Sequence, residues 1–195
     1  MRRLIRDRGG ASAAEFALVL PLLILLLFGI IDGGRYMWAI NRAEKAAQMG
    51  VRMAVVTDFA ASSIDSNYVG ACSPALTGGD PIPAGCFTSI TCSRSGTTVS
   101  CPGGGTADPA AFNTVYNRIR LFMPEIQPNN VQIIYSDSGL GYAGNPNGPD
   151  LAPLVTVRLF GMTFRPIVFL ALWNVALPEV RSSLTFEDGQ GSASN

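Results

Sequence analysis

The chain has no histidine. That absence removes the Ser–His and Cys–His pairs of nucleophilic catalysis and the imidazole ligand common in transition-metal sites. Three kinds of residue remain that could do chemistry. The first is Glu15, a carboxylate at the head of an apolar run that reaches Ile31. A charge at the centre of a membrane helix costs about 2.5–3.5 kcal/mol on insertion scales, so Glu15 marks a pairing or functional site unless it reaches water or the nearby arginines at headgroup level. The second is a set of four cysteines, Cys72, Cys86, Cys92 and Cys101, in a stretch rich in Gly, Ser, Thr and Pro. An even cysteine count outside the cytoplasm reads as two disulfides with three possible connectivities. Without histidine or a Cys-x-x-Cys pair, zinc is the weaker reading, and free thiols are the second choice. The third is a scatter of carboxylates, Asp58, Asp65, Asp80, Asp137 and Asp150, whose polar flanks mark them as solvated surface. Gly103-Gly104-Gly105 lacks the Lys-Ser/Thr of a phosphate loop. The expectation is a protein without catalytic residue, cofactor, metal or small-molecule substrate.

The elements that position Glu15 are legible from charge and hydropathy. From Ala13 to Ile31 the only charged residue is Glu15, and as a helix these positions span about 28 Å, close to the hydrocarbon thickness of a bilayer. The head before them carries Arg2, Arg3, Arg6 and Arg8 against Asp7, three net positive charges. Basic residues beside a span favour the cytoplasmic side, which places residues 58–195 outside the cytoplasm. A cleaved secretory signal has the same plan, but Asp32-Gly-Gly-Arg-Tyr-Met-Trp-Ala offers no clear small-x-small cleavage site, and the run is long for a signal core. Loss of residues 1–10 would leave the chain three charges more acidic than basic, which disfavours nucleic acid as a partner.

Gly10 followed by four small residues, then Glu15 and an apolar run, resembles the type IV prepilin processing motif. The wider stretch from Gly10 through Phe16, Pro21 and Asp32 to Arg35 is similar to the opening of TadE-like (TadE/TadG) proteins, pseudopilin-like components of the tight-adherence (Flp) pilus apparatus of bacteria; the similarity covers about residues 9–57. The resemblance implies a single-pass protein of the bacterial inner membrane, with a periplasmic C-terminal domain. It implies cutting by a prepilin peptidase between Gly10 and Ala11, leaving Glu15 as the position-five carboxylate. It implies membrane lipid and other pilus or secretion-machine subunits as partners.

Beyond the span the helix continues. Tyr36 and Trp38 suit an outer aromatic belt, and small or apolar residues recur at 39, 43, 46, 47, 50, 53 and 54. This Ala/Gly face is expected to cover the protein's own sheet rather than a second subunit. Asp32-Gly33-Gly34 is the doubtful joint, since two glycines cost about 2 kcal/mol of helix propensity. Residues 58–108 read as a long loop that needs staples. Asp108-Pro109 starts a helix with Phe112, Val115, Tyr116, Ile119, Phe122 and Met123 on its apolar face, ending at Pro124. Strands are expected at 131–135, 154–160 and 180–186. Between the last two, Phe164 to Leu177 is a short buried helix or an apolar patch, and residues 187–195 form a disordered tail.

The expected segments are therefore a leader (1–10), a transmembrane helix with its amphipathic extension (11–57), a cysteine loop (58–108), a small domain (109–186) and a tail (187–195). The fold class is α+β: a long N-terminal transmembrane helix continuing into an amphipathic helix packed on a small antiparallel sheet, with a disulfide-stapled loop. The pilin-like character of that plan is what the resemblance adds. Two functions fit it. One is a pseudopilin-like assembly component of a Tad pilus or type II-like secretion machine. The other is a permanently anchored extracytoplasmic binding module.

Overall fold

A computed structural model describes residues 9–72, 74–146, 148–167 and 174–186. The arginine head before Gly9, the tail 187–195 and the apolar residues 168–173 lie outside the described residues, so the expectations for them stand as sequence readings. The chain forms two compact units, Met1–Ala39 with Thr163–Ala176, and Ile40–Met162 with Leu177–Asn195.

Helix α1, Gly9–Ala54, runs through both units and carries Pro21 in its interior. It also passes Asp32-Gly33-Gly34 without interruption, so the expected joint does not break it. Two glycines weaken a helix by about 2 kcal/mol, and the Asp32–Arg35 pair, three residues apart on one face, bridges the joint and offsets part of that cost. In the first unit, strands β5 (Thr163–Phe164) and β6 (Val175–Ala176) pair antiparallel, Phe164 opposite Val175.

The second unit is built on an antiparallel five-stranded sheet in the order β2-β1-β3-β4-β7. Its strands are β1 (Ile90–Ser95), β2 (Thr98–Ser100), β3 (Val131–Ser136), β4 (Leu154–Leu159) and β7 (Val180–Thr185). Strict alternation drives one face into the core: Ile90 and Cys92 of β1, Val131, Ile133 and Tyr135 of β3, and Val155, Val157 and Leu159 of β4 are buried. The registers Ile90 to Tyr135, Cys92 to Ile133 and Ile133 to Val157 put them side by side. Helix α2, Pro109–Phe122, supplies Phe112, Val115, Tyr116 and Ile119 to the same core. Asp108 caps it as expected, its carboxylate accepting from Ala110 N at 2.7 Å and Ala111 N at 3.3 Å.

The Ala/Gly face of α1 closes this core. Ala43, Ala46, Ala47, Val51 and Ala54 are buried. A methyl group added at Gly50 would lie 2.6 Å from Ile119 Cγ1 and 3.4 Å from Val157 Cγ1, so helix backbone, α2 and β4 meet there without room for a side chain. Arg42 fixes the same contact from the side, donating to Phe122 O at 3.2 Å and pairing with Glu125 at 2.7 Å.

The stretch expected as a loop, 58–108, contains the β1–β2 hairpin. Its register leaves Gly96-Thr97 as a two-residue turn, with Gly96 at φ +59° as the first central residue of a type II′ turn requires. The same register, extended by one pair beyond Ser93–Ser100, sets Cys92 opposite Cys101, and these two form a disulfide. Cys72 and Cys86 form the other, so the sequential connectivity is the one adopted.

Candidate functional site

The first candidate is the start of α1. Gly10 and Ala11 lie in the first turn of the helix, and Glu15 stands exposed one turn further on. Positions four apart share a helix face, and side chains lean toward the N-terminus, so Glu15 leans toward the turn that holds position 11. From Ala13 to Ile31 every residue is exposed, Leu18 at 80% and Leu22 at 70%. Apart from Glu15 this is an apolar cylinder that no described residue covers, long and apolar enough to cross a membrane.

Where the apolar run ends, the structure assembles a cluster that the sequence did not announce. Asp32 is only 8% exposed. Its carboxylate accepts from Ile167 N at 2.9 and 2.8 Å and pairs with Arg35 Nη1 at 2.9 Å. The Arg35 guanidinium lies 5.1 Å from the Phe164 ring centre, within cation–π range, and makes a long contact of 3.5 Å to Arg165 O. Tyr36 meets Phe164 edge to face at 5.6 Å, and its hydroxyl donates to Ala176 O at 3.4 Å. A buried carboxylate is costly unless hydrogen-bonded and paired, and Asp32 is both. At the joint where two glycines were expected to weaken the helix, Asp32 ties the residues that follow β5 to it. The available signal was an acid and a base three residues apart at the end of an apolar run. Beside this cluster is a cavity of about 280 Å³, with Gly29, Gly33, Tyr36, Phe164 and Val175 among its walls.

The carboxylates of the second unit serve its loops. Asp150, expected as solvated surface, is 5% exposed and accepts from Tyr68 N at 2.7 Å and from Gly144 N and Asn145 N at 2.8 Å. Burial pushes its carboxyl up, and the three backbone donors outweigh that and hold it below the ordinary aspartate value. Asp137 accepts from Gly85 N and Gly139 N, and Asp80 from the amide and hydroxyl of Thr77. A cavity of about 520 Å³ is edged by Asp58, Asp65 and Asp108, the last already committed as a helix cap. Among the described residues, no group of three or more His, Cys, Asp or Glu side chains is placed to hold a metal ion. Tyr135 accepts from Ala60 N at 3.1 Å, and burial pushes its phenol up to about 12, so it stays neutral in the core.

A known family covers part of α1: the TadE-like proteins match residues 10–52. The similarity is confined to this N-terminal segment. The matched segment begins at Gly10, takes in Glu15, the bare apolar run and the Asp32–Arg35 pair, and ends two residues before the last of α1. The sheet, α2 and both disulfides lie outside it. The chain matches no curated protein and no solved structure.

Proposed function

We propose that this chain is a membrane-anchored, pseudopilin-like structural subunit of a Tad (Flp) pilus or a type II-like secretion apparatus. The TadE-like match implies a part in Tad pilus assembly. The observation that carries the finer reading is the coincidence of three things in one segment: Gly10 at its start, Glu15 five positions on, and an uncovered apolar helix after them. In this reading a prepilin peptidase removes residues 1–10. The new α-amino group at Ala11 then lies at the positive end of the helix dipole, one turn from Glu15, which pairs with that amine or with a neighbouring subunit's. An ammonium within hydrogen-bond reach offsets the desolvation of a carboxylate that hydrocarbon would otherwise make expensive. The bare side chains from Phe16 to Ile31 are covered by lipid while the subunit waits and by other helices once it assembles. The soluble part lies outside the cytoplasm, by the positive charge of the head.

Glu15→Val separates anchoring from assembly. The variant is expected to stay in the membrane fraction through alkaline extraction while surface pili or secretion are lost. Normal assembly by the variant would remove the role given to Glu15, and release by alkali would remove the anchor.

A further inference from the structure

We infer that the cavity between α1 and the β5–β6 hairpin is a phospholipid site, holding one acyl chain of a lipid whose phosphodiester sits at Arg35 and Arg165. The inference rests on the membrane-anchored reading. The cavity measures about 280 Å³, and apart from Asp32 its walls are Gly29, Gly33, Tyr36, Phe164, Pro166 and Val175. The Asp32 oxygens are engaged by Ile167 N and Arg35, so the interior offers little for water to bond.

The glycines are the unusual part. Gly29 and Gly33 are four apart on one helix face, the spacing that lets a neighbour approach closely. Yet a methyl group added at either would meet nothing within 4 Å. Two glycines are thus spent on a close approach that no described atom of this chain makes. The neighbours of this opening along α1 are Ile30 and Ile31, 68% and 42% exposed, the last residues of the bare run. The cavity therefore sits at the end of the bare apolar run, the surface that acyl chains cover in the membrane-anchored reading. Arg35 pairs with Asp32 of the cavity wall and is 43% exposed, and the exposed Arg165 lies in sequence between the wall residues Phe164 and Pro166; set against Asp32, the two arginines leave one net positive charge. Guanidinium groups match a phosphodiester in charge and geometry. A lipid satisfies both halves of the site, chain and head, which a purely apolar helix from a second copy does not.

Photolabelling of the full-length protein decides it. The protein is reconstituted in phosphatidylethanolamine–phosphatidylglycerol vesicles containing a trace of phosphatidylglycerol with a diazirine in its acyl chain, then irradiated, digested and sequenced by mass spectrometry. Label is expected on the hairpin at Phe164–Pro166 or Val175, as well as along residues 16–28. Gly33→Phe, which fills the cavity, is expected to lower the hairpin label several-fold and spare the label on 16–28. Gly33→Ala, for which there is room, should keep both. Arg165→Gln, at an exposed position, should lower the hairpin label several-fold without touching the fold. Unchanged hairpin label in Gly33→Phe, or hairpin cross-links to a second copy in place of lipid, would overturn the site while leaving the anchor. No label on 16–28 would overturn the anchor and the site together.

Discussion

Gly50→Ala measures how closely the TadE-like helix is seated on its own core. Two effects oppose each other. Replacing a mid-helix glycine by alanine gains about 0.8–1 kcal/mol of helix propensity. Against it, the new methyl would stand 2.6 Å from Ile119 Cγ1 and 2.9 Å from Ile119 Cδ1, with Val157 Cγ1 at 3.4 Å behind. Ile119 and Val157 are fully buried, so neither can swing into solvent. Overpacking of that kind costs about 1–3 kcal/mol. The balance is a net loss of about 1 kcal/mol in full-length protein, read from urea or thermal unfolding in detergent micelles. Ile119→Ala supplies the control, because it removes both close atoms and leaves space. Measured in that background, Gly50→Ala should become stabilising by about 1–2 kcal/mol, the propensity gain plus a partly filled cavity. The sign change between backgrounds is the signature of contact. If Gly50→Ala stabilises the wild-type chain by the full propensity gain, α1 and Ile119 of α2 are not in contact at Gly50 and the packing described is wrong.

Asp150→Ala should destabilise the second unit by about 3 kcal/mol, since three amides lose a charged acceptor that mutational scales value at 1.5–3 kcal/mol each without additivity. Because its folded-state pKa is held below the ordinary value near 3.9, the Asp150 contribution is whole at neutral pH and drains as pH falls through and below about 4. Acid titration of the wild type followed by circular dichroism should show that loss, and Asp150→Asn should flatten the curve. Non-reducing peptide mapping should recover Cys72 linked to Cys86 and Cys92 linked to Cys101, each closing a loop that contributes about 2–4 kcal/mol; any crossed pair contradicts the structure. Alkaline phosphatase fused after Asn195 should be active, as the charge of the head requires, and activity from a cytoplasm-only reporter at the same point would reverse the topology.

The parts of the fold legible in the sequence were those where a strong local pattern agrees with the tertiary demand. Helix α2 had a cap, a proline and a 3.6-residue apolar face, and it spans Pro109–Phe122. Strands β3, β4 and β7 had clean alternation or β-branched runs and formed where expected. The β1–β2 hairpin was hidden because Thr91, Ser93 and Arg94 dilute its apolar content to Ile90, Cys92 and Val99, and a disulfide substitutes for part of its core. Its one local mark was Gly96-Thr97. Asp32 and Asp150 were missed for a related reason. Each acid takes part of its bonding from a backbone amide remote in sequence, Ile167 for the first and Tyr68 for the second, and spacing along the chain carries no trace of such partners. Strands β5 and β6 are two residues each, too short to leave a period. The Gly10, Ala11 and Glu15 assignments are what the resemblance to the prepilin processing motif implies, and the structure places these residues on consecutive turns of one helix.

The central claim is the maturation of the N-terminus, and intact-mass analysis with N-terminal sequencing of protein from cells that hold an active prepilin peptidase tests it most directly. The mature chain is expected to begin at Ala11, ten residues short, and a bulky replacement of Gly10 should leave it at full length. A native chain that still begins at Met1 in those cells would contradict the pseudopilin reading and leave a permanently anchored extracytoplasmic module in its place.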